Sequence, residues 1–509
     1  MDIVVGSGPA GLAVATALLA RGRSVTMVDG GRTLPADADA RRTEMAAIPA
    51  TDWSADQIDA WREPQFSPQS PLVHRYGSDH AQEALSETLS DAPDWFAARA
   101  SHAVGGLSNV WGAAVLPNRA ADIAAWPITI EDLKPHYQAV ADLVPIAGRV
   151  DPLESLFPVL PMTDRQPLRS GPQGEKLLTK LDEKADRLRA MGVHAGQARQ
   201  AVGSDCQYCG LCLHGCPWQQ IYSGNQSLET LKAQKRFTHM PGRLVRSFRE
   251  NSRGVVLQLA DGETLKGARV FIGAGVLETA RIVLSSQPTG GRVTLRDSRH
   301  FFLPLLHAWS PDADPETAPH HTLTEAFIEI DSPEVSPYLT HTQIYGWNAF
   351  FAREMVANYG SKLPGSQPIF ERLARRLMVA QTFLHSDHCD TIELSLTPGA
   401  DKLDARLIEN EHTVKIMRAA RKKLAKALRQ AGLYALSFAS RLDAPGASFH
   451  SGGTFPMSDF PDPLQTDELG RLPGLKRVHL VDASVLPTIP ATTITLSVMA
   501  NAHRIGATS

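Results

Sequence analysis

The first 32 residues constrain the fold of this chain more than any other stretch. Apolar residues 3–5 predict a strand, residues 6–11 read Gly-Ser-Gly-Pro-Ala-Gly, and residues 12–20 carry the apolar spacing of a helix. A second strand is predicted at residues 24–28, and Asp29 follows it directly. This order of strand, G-x-G-x-x-G turn, helix, strand and acidic residue is the dinucleotide-binding fingerprint.

Each glycine of that fingerprint, and the acidic residue after it, has a physical role. Gly6 permits the tight turn, Gly8 lets the backbone approach a pyrophosphate, and Gly11 lets the helix lie close to the strand. The helix N-terminus then faces the phosphates. Asp29 is placed to accept a hydrogen bond from a ribose hydroxyl. The pattern therefore predicts a bound dinucleotide, but it does not distinguish FAD from NAD.

Length and charge set the class of protein. A chain of 509 residues is too long for one hydrophobic core, so roughly two or three domains are expected. The net charge of −3, with acidic and basic residues interspersed, argues against a nucleic-acid-binding surface. The sequence has no apolar run of about 18 residues that would predict an integral membrane segment. The first strand begins too early to leave room for a secretion signal, so a cytoplasmic protein is expected.

Four of the five cysteines lie in one short run. Its spacing, C-x2-C-x2-C-x3-C followed by Pro217, is that of bacterial ferredoxin loops, in which thiolates surround an iron–sulfur cluster. A zinc knot, disulfides and free thiols are the competing interpretations. Zinc sites usually join two separated pairs, and so short a loop strains two disulfides, so an iron–sulfur cluster is favoured. The predicted metal ligands are Cys206, Cys209, Cys212 and Cys216.

Five ordered motifs carry a family resemblance. They are the N-terminal fingerprint, Gly105 to Gly112, Trp126-Pro127 before a helix predicted at residues 130–143, Gly273-Ala274-Gly275 with Glu278-Thr279-Ala280-Arg281, and the block from His450 to Arg504. Together they resemble the glucose–methanol–choline (GMC) family of flavin oxidoreductases over nearly the whole chain. The Trp126-Pro127 segment and the cysteine run look most like the sugar and polyol dehydrogenases of that family.

The resemblance implies an α/β fold, with an FAD-binding Rossmann-like domain of the GMC type and an α+β substrate domain built on an antiparallel sheet. The FAD-binding domain is expected at residues 1–150, with a lid-like excursion at 30–100, and again at 236–300 and 441–509. The substrate domain is expected at residues 151–235, including the cysteine-rich loop 204–218, and at 301–440. Within this layout, residues 255–260 and 264–272 predict the two strands of a hairpin.

The resemblance also implies which residues contact FAD. Asp482 looks like the family's contact to the ribityl chain, and the paired glycines after Val104 suit a backbone that passes close to a flat ring. The expected FAD contacts are Gly6, Gly8, Gly11, Asp29, Gly105, Gly106, Ser108, Asn109, Trp111, Gly112, Val245, Gly275, Asp482 and Ala483.

The C-terminal block contains the expected catalytic residues. An alcohol loses a proton and a hydride when it is oxidised, so a base is needed beside the hydride acceptor, and histidine fits near neutral pH. His450 begins the motif His-Ser-Gly-Gly-Thr-Phe-Pro-Met, whose histidine faces the flavin in the family, so the resemblance implies that His450 takes the hydroxyl proton. The chain departs from the family at Thr493, where an asparagine or a second histidine is usual. A threonine hydroxyl can orient a substrate oxygen but lacks the two-ended hydrogen bonding of an amide.

The expected function is FAD-dependent oxidation of a hydroxyl group of a sugar, a polyol or a related alcohol. Some sugar dehydrogenases of the family hold a three-iron cluster with the pattern C-x5-C-x3-C, which Cys206, Cys212 and Cys216 reproduce, with Cys209 in addition. Such a cluster would pass electrons to a protein or a quinone. The alternatives are a flavin-containing lyase or oxidase in which the cysteines form a structural knot, and an electron-transfer or binding subunit with a degenerate site.

Overall fold

The computed structural model describes residues 1–62, 78–81, 85–349, 351–352 and 367–509. Residues 63–77 and 82–84 of the predicted lid-like excursion lie outside the described residues. Within the described ranges, none of the helices has both the length and the apolar character that crossing a membrane requires.

The strands of the described residues are, in chain order, β1 (Asp2–Val5), β2 (Val25–Val28), β3 (Val193–Gln197), β4 (Phe237–Met240), β5 (Val245–Asn251), β6 (Gly254–Leu259), β7 (Thr264–Gly267), β8 (Arg269–Ile272), β9 (Gly291–Asp297), β10 (His300–His307), β11 (Thr324–Ile330), β12 (Thr340–Tyr345), β13 (Leu377–Phe383), β14 (Thr391–Leu396), β15 (Asp404–Ile408), β16 (Leu433–Ala435), β17 (Arg441–Leu442), β18 (Ser451–Gly452) and β19 (Val478–Leu480).

The α-helices of the same residues are α1 (Pro9–Ala20), α2 (Ala36–Ala46), α3 (Ala55–Arg62), α4 (Leu85–Thr88), α5 (Ile130–Leu143), α6 (Pro172–Asp182), α7 (Ala185–Arg189), α8 (Gly224–Lys232), α9 (Val276–Ser285), α10 (Gln367–Ala374), α11 (His412–Leu428) and α12 (Thr495–Thr508).

One of the two largest sheets is parallel and five-stranded, in the order β19-β8-β1-β2-β4. Its strands β1, β2 and β19 are buried along their whole length, as expected for a parallel sheet that is covered on both faces. Helix α1 follows β1 and packs closely on α12, where a Cβ added to Gly506 would lie 2.9 Å from Val14. The two ends of the chain therefore meet in one layer.

The other large sheet is antiparallel and seven-stranded, in the order β16-β10-β13-β12-β11-β3, with β17 also paired to β10. One of its faces contributes residues such as Leu303 and Ile328 to a core shared with Leu181 of α6 and Leu424 of α11. The opposite face carries Phe327, His341 and Phe383, whose rings contact one another, and we call it the site face. The parallel and antiparallel sheets together confirm the predicted α/β fold with an antiparallel second sheet.

Two smaller antiparallel sheets complete the fold, in the orders β15-β14-β9-β18 and β5-β6-β7. The hairpin prediction for residues 264–272 is wrong in one respect. The chain leaves the small sheet at Ala268, so β7 pairs with β6 while β8 joins the parallel sheet beside β1. The apolar pattern runs through both strands because each is partly buried, so it could not reveal the change of sheet.

Helix α5 begins where the sequence predicts. The Thr129 hydroxyl accepts a hydrogen bond from the Asp132 N–H at 3.3 Å, and the Asp132 carboxylate accepts one from the Thr129 N–H at 2.8 Å. This reciprocal capping box satisfies two backbone donors that the helix itself cannot satisfy. It fixes the start of the helix that packs against α12.

Candidate active site

The N-terminal glycine turn has the close backbone contacts that its sequence predicts. Gly6 has φ +97°, and a Cβ added there would lie 2.3 Å from the carbonyl oxygen of Gly273. A Cβ added at Gly11 would lie 1.9 Å from the Gly6 carbonyl oxygen. Both positions therefore exclude any side chain, and they pack the first glycine turn against the second one at Gly273-Ala274-Gly275.

Three glycines from separate segments border open space. A Cβ added at Gly8, Gly112 or Gly275 would meet no atom of the described residues within 4 Å beyond its chain neighbours. Gly8 lies before α1 and Gly275 before α9, so each of these two helix N-termini has open space beside it. Backbone N–H groups at helix N-termini favour phosphate groups. The arrangement fits an extended dinucleotide such as FAD.

Asp29 lies at the carboxyl end of β2, at the edge where a ribose contact is expected. Its carboxylate accepts a hydrogen bond from the Gly31 N–H at 2.9 Å and lies 3.0 Å from Nε2 of His239. His239 belongs to the neighbouring strand β4, directly opposite Met27. The sequence did not indicate His239, because the pairing of β4 with β2 joins segments about two hundred residues apart in the parallel sheet.

The second glycine-rich segment, residues 103–112, is tied to residues 222–225 by its polar side chains. Ser108 accepts a hydrogen bond from the Gly224 N–H at 2.8 Å, and Asn109 accepts one from the side chain of Asn225 at 2.8 Å. Trp111 donates to the carbonyl of Tyr222 at 2.7 Å. The side chains of these three predicted FAD contacts thus also hold the segment in place. A Cβ added at Gly106 would lie 3.4 Å from the Cα of Gly8.

Asp482 connects the C-terminal return to the second glycine turn. Its carboxylate accepts hydrogen bonds from the Gly275 N–H at 2.9 Å and from the Thr279 hydroxyl at 2.5 Å. Burial raises the pKa of Asp482, and these hydrogen bonds oppose that rise. The next residue, Ala483, accepts a hydrogen bond from the Gly453 N–H at 2.9 Å, and Val245 accepts one from Arg281 at 2.8 Å.

His450 is held from both sides of its backbone. Its N–H donates to the Ser448 hydroxyl at 2.9 Å, and its carbonyl accepts from the Ser298 N–H at 3.0 Å. The preceding residue, Phe449, has φ +59°, a left-handed conformation that is unusual for a bulky residue and is often found at functional sites. The His450 ring stacks on Phe383 of the site face, with ring centroids 4.7 Å apart.

The charge state of His450 follows from its surroundings. The pKa of His450 is lowered to about 3, chiefly by burial of the ring, and positive charge on His341 or His300 would act in the same direction. Its Nδ1 is buried and has no hydrogen-bond partner among the described residues. His450 is therefore neutral at pH 7, which is the state that a base requires.

Asp297 organises the loop that carries His450. This carboxylate is completely buried and accepts hydrogen bonds from the Gly446 N–H at 2.7 Å, from the Ser448 hydroxyl and from the Ser451 hydroxyl at 3.1 Å. It thereby binds the chain on both sides of the histidine. Nothing in the sequence near His450 indicated Asp297, which precedes it by about 150 residues.

Thr493 lies just before α12 and is 2 % exposed. Its hydroxyl oxygen accepts a hydrogen bond from the Leu116 N–H at 2.7 Å. This contact joins the C-terminal return to the segment that follows Gly112. One lone pair of the hydroxyl is thus occupied by the protein itself, although the hydroxyl proton can still be donated.

Several buried polar atoms near these segments have no partner among the residues that the structure describes. They are Nδ2 and Oδ1 of Asn118, Oγ1 of Thr454 and Oγ1 of Thr492. Buried polar atoms in proteins are normally satisfied by protein, water or ligand. Asn118 and Thr492 were not among the predicted site residues, and only their burial reveals them.

The cysteine loop presents four free thiols, so the disulfide interpretation is not supported. The sulfur of Cys216 accepts a hydrogen bond from the Gln220 N–H at 3.4 Å. The backbone at Tyr208, Leu211 and Thr322 acts to lower the pKa of Cys206, Cys209 and Cys212, respectively. Burial raises the pKa of Cys206, Cys209 and Cys212, and the neighbouring cysteines contribute in the same direction, so that the pKa of Cys209 is about 12. In the described ranges, no group of three or more Cys, His, Asp or Glu is arranged to hold a single metal ion.

The two sides of the cysteine loop differ. Cys206, Cys212 and Cys216 pack against the main core of the molecule, whereas Cys209 packs with Trp53, Trp61, Trp218 and Leu211 in a separate cluster. Trp53 and Trp61 belong to the segment predicted as a surface excursion, and they are buried. The excursion thus covers the cysteine loop in its described part. Cys209 is distinct from the other three cysteines, in line with their separate spacing pattern.

Comparisons with known proteins agree with this geometry. Residues 391–502, which include His450, Asp482 and Thr493, match the C-terminal domain model described as GMC oxidoreductase. The solved structure of pyridoxine 4-oxidase from Mesorbium loti is similar over 99% of this chain and 98% of that one, with a TM-score of 0.56 and 14% identity. At that identity the likeness establishes the fold. No curated protein sequence matches the chain. The C-terminal part of the chain thus matches the GMC oxidoreductase model, and the whole chain has the fold of this solved structure.

Proposed function

We propose that this protein oxidises a CH–OH group of a sugar, a polyol or a related alcohol, with His450 as the base. The observation that carries the proposal is the state of His450, which is neutral, fixed through its backbone and stacked on the site face. Because Nδ1 is buried, Nε2 is the ring nitrogen left to receive the hydroxyl proton.

The residues present fit FAD, because open space borders Gly8, Gly112 and Gly275 and partnerless buried polar atoms lie on the adjoining segments. When bound, FAD supplies the hydride acceptor for the alcohol carbon. Asp29 would bind the adenosine ribose and Asp482 the ribityl chain. Stacking on Phe383 fixes the plane of the His450 ring, so a substrate hydroxyl can meet Nε2 in one orientation only.

Replacement of His450 tests the proposal. His450→Ala should keep FAD bound but slow anaerobic flavin reduction by about 10² or more, the usual scale for a lost base. His479→Gln is the control, since His479 is a buried histidine that stacks on Phe271 in the parallel sheet. An unchanged reduction rate in His450→Ala, across a panel of sugars and polyols, would reject the role of His450.

We also propose that the cysteine loop holds an iron–sulfur cluster. A multi-iron cluster places each thiolate on a different iron, so the sulfurs need not converge on one point as they do around zinc. The Gln220 N–H bond to Cys216 and the backbone groups that act to lower the pKa of the other three cysteines support the proposal, because such contacts stabilise thiolate ligands. When bound, the cluster would pass electrons singly to a quinone or an acceptor protein.

Cysteine variants test the cluster. Cys212→Ser should remove iron and its broad absorbance, retain FAD, leave substrate reduction of the flavin intact and stop transfer to one-electron acceptors. Cys209→Ser should keep the cluster if the three ligands are those packed on the main core. Cys389→Ser, outside the loop, is the control. Stoichiometric zinc without iron in anaerobically purified protein would reject the cluster.

The second candidate is an oxidase with the cysteines as a structural knot. It is favoured by the lack of a metal-holding group among the described residues and by the similar solved structure, which is titled an oxidase. Turnover with oxygen that is faster than turnover with quinone analogues would support it. Flavin that no alcohol reduces would instead favour a lyase of the same fold.

A further inference from the structure

A row of side chains crosses the antiparallel sheet beneath His450. Strand register places His300 of β10 opposite Phe383 of β13, Phe383 opposite His341 of β12, and His341 opposite Glu329 of β11. Residues directly opposite one another share a face of the sheet. The row therefore lies on the site face, with Phe383 under the His450 ring and one histidine on each side of Phe383.

Each of these two histidines is held by a carboxylate. Nδ1 of His341 lies 2.6 Å from Oε1 of Glu329, and both residues are completely buried. On the other side, Nε2 of His300 lies 3.2 Å from Oδ2 of Asp443, whose side chain is 17% exposed. Water can screen the charge of Asp443 but not that of Glu329. A charge on Glu329 therefore acts across the site face with less screening by water than a charge on Asp443.

Hydrogen bonds fix the proton positions on His341. The Glu329 carboxylate can only accept, so Nδ1 of His341 carries the hydrogen. Nε2 of His341 then accepts from the side-chain amide of Gln343 at 3.2 Å, and the Gln343 oxygen accepts from the Tyr345 hydroxyl at 2.7 Å. Both ring nitrogens are engaged and the ring is fully buried, so His341 does not receive a substrate proton itself.

Its effect must pass through His450. When His450 accepts a proton it becomes a cation above the ring of Phe383, and a buried negative charge beyond His341 stabilises that cation. Oε2 of Glu329 has no hydrogen-bond partner among the described residues, so its charge is not consumed by a second contact. The other charged groups near Glu329 are Arg199, which is paired with Glu154, and His194, which lies opposite it on β3.

We propose that Glu329, acting through His341, is a positioning residue that raises the capacity of His450 to hold the substrate proton. The proposal rests on the proposed role of His450 as the base. In the GMC family an asparagine or a second histidine is usual at the position of Thr493. Because the Thr493 oxygen is already bonded to the Leu116 N–H, we assign the support of His450 to the site face instead.

The test is a double-mutant cycle on anaerobic flavin reduction. Glu329→Gln should lower the reduction rate about tenfold, equivalent to one pK unit of proton affinity, with little change in the substrate concentration for half-maximal rate. Its solvent deuterium isotope effect should rise, because proton transfer becomes more limiting. Glu329→Asp, which keeps the charge, should recover most of the rate. In a His450→Ala background, Glu329→Gln should cause no further loss.

The control is Glu325→Gln, because Glu325 is a buried glutamate on the same strand that contacts Gly171 and not the row. Burial raises the pKa of Glu325 to about 8, so this variant controls for the change of side chain and not for the loss of a charge. It should reduce flavin at the normal rate. Rate losses that multiply in the double variant would overturn the proposal, since Glu329 would then act independently of His450. A normal rate in Glu329→Gln would also overturn it while leaving His450 as the base, provided that His450→Ala alone is slow. If Glu329→Gln fails to retain FAD, His341→Asn can replace it, because this variant breaks the contact between Glu329 and His341. The same changes in rate and isotope effect are then expected.

Discussion

The glycine turns and the site face are the two halves of the candidate site, and different kinds of contact form them. The turns depend on backbone contacts, such as that between Gly6 and Gly11, whose residues are neighbours in the sequence. The site face depends on side chains such as Glu329 and Phe383, which come from separate strands and meet through register. A site formed by local backbone contacts produces a recognisable sequence motif. A site formed by side chains that strand register brings together does not.

The largest effect should come from breaking the backbone half. In Gly11→Ala, the new Cβ would overlap the Gly6 carbonyl, so α1 must move away from β1. We expect loss of FAD from the purified protein and a destabilisation of about 3 kcal/mol or more, the upper range for overpacking. The ratio of flavin to protein and the denaturation midpoint measure both effects.

Gly8→Ala is the control for that prediction. Its Cβ would enter open space, so the fold should remain and only FAD retention should weaken. If Gly11→Ala binds FAD normally, the close contact of the turns is not required for the site.

Lowering the pH should have an intermediate effect on the free energy of unfolding, and this effect compares the two halves directly. Burial lowers the pKa of His479, beside the parallel sheet, and of His321, beside the antiparallel sheet, to about 4 in each case. Below pH 6.5 the unfolded chain binds these protons and the folded protein does not, so stability falls between pH 6.5 and pH 4. Each histidine should contribute on the order of 3 kcal/mol to that fall.

Urea unfolding measured from pH 7 to pH 4 checks the expectation. His479→Gln and His321→Gln should each flatten the decline by a similar amount. A decline that only one variant flattens would show that the two halves differ in acid sensitivity.

The smallest effect should come from the contact between the halves. Thr493→Val removes the acceptor of the Leu116 N–H and leaves that buried donor unsatisfied, at a cost of about 1–2 kcal/mol in the free energy of unfolding. Thr493→Ser keeps the oxygen and should be nearly neutral. Expressed as a free energy, the change in the rate of anaerobic flavin reduction should be smaller than the change in stability. A large rate loss in Thr493→Val would instead indicate that Thr493 contacts the substrate directly.

The sequence predicted the elements that depend on local chemistry. The strand, turn and helix at the N-terminus and the Thr129 cap of α5 are confirmed, because short-range spacing and capping residues determine them. The resemblance to the GMC family is confirmed by the match over residues 391–502. The roles of His450, Thr493 and the FAD contacts stay predictions.

Asp297, His239 and Glu329 could not be predicted as parts of the site. The partners of Asp297 and His239 are distant in sequence, and in all three cases strand pairing decides which partner the residue meets. Apolar alternation indicates which face a residue occupies, but not which residue lies opposite it. The change of sheet at Ala268 could not be predicted for a similar reason, since β7 and β8 follow one another without a turn signal between them.

The order of strands in the parallel sheet also affects how the protein matures on the ribosome. Strand β1 can pair with β2 early, but its other neighbour is Arg269–Ile272, and the sheet is complete only when Val478–Leu480 has been synthesised. During that interval an apolar strand edge stays unpaired, which invites contacts between nascent chains. Slow translation or a shortage of chaperones should therefore reduce the yield of folded enzyme more than it would for a protein whose sheet forms in sequence order.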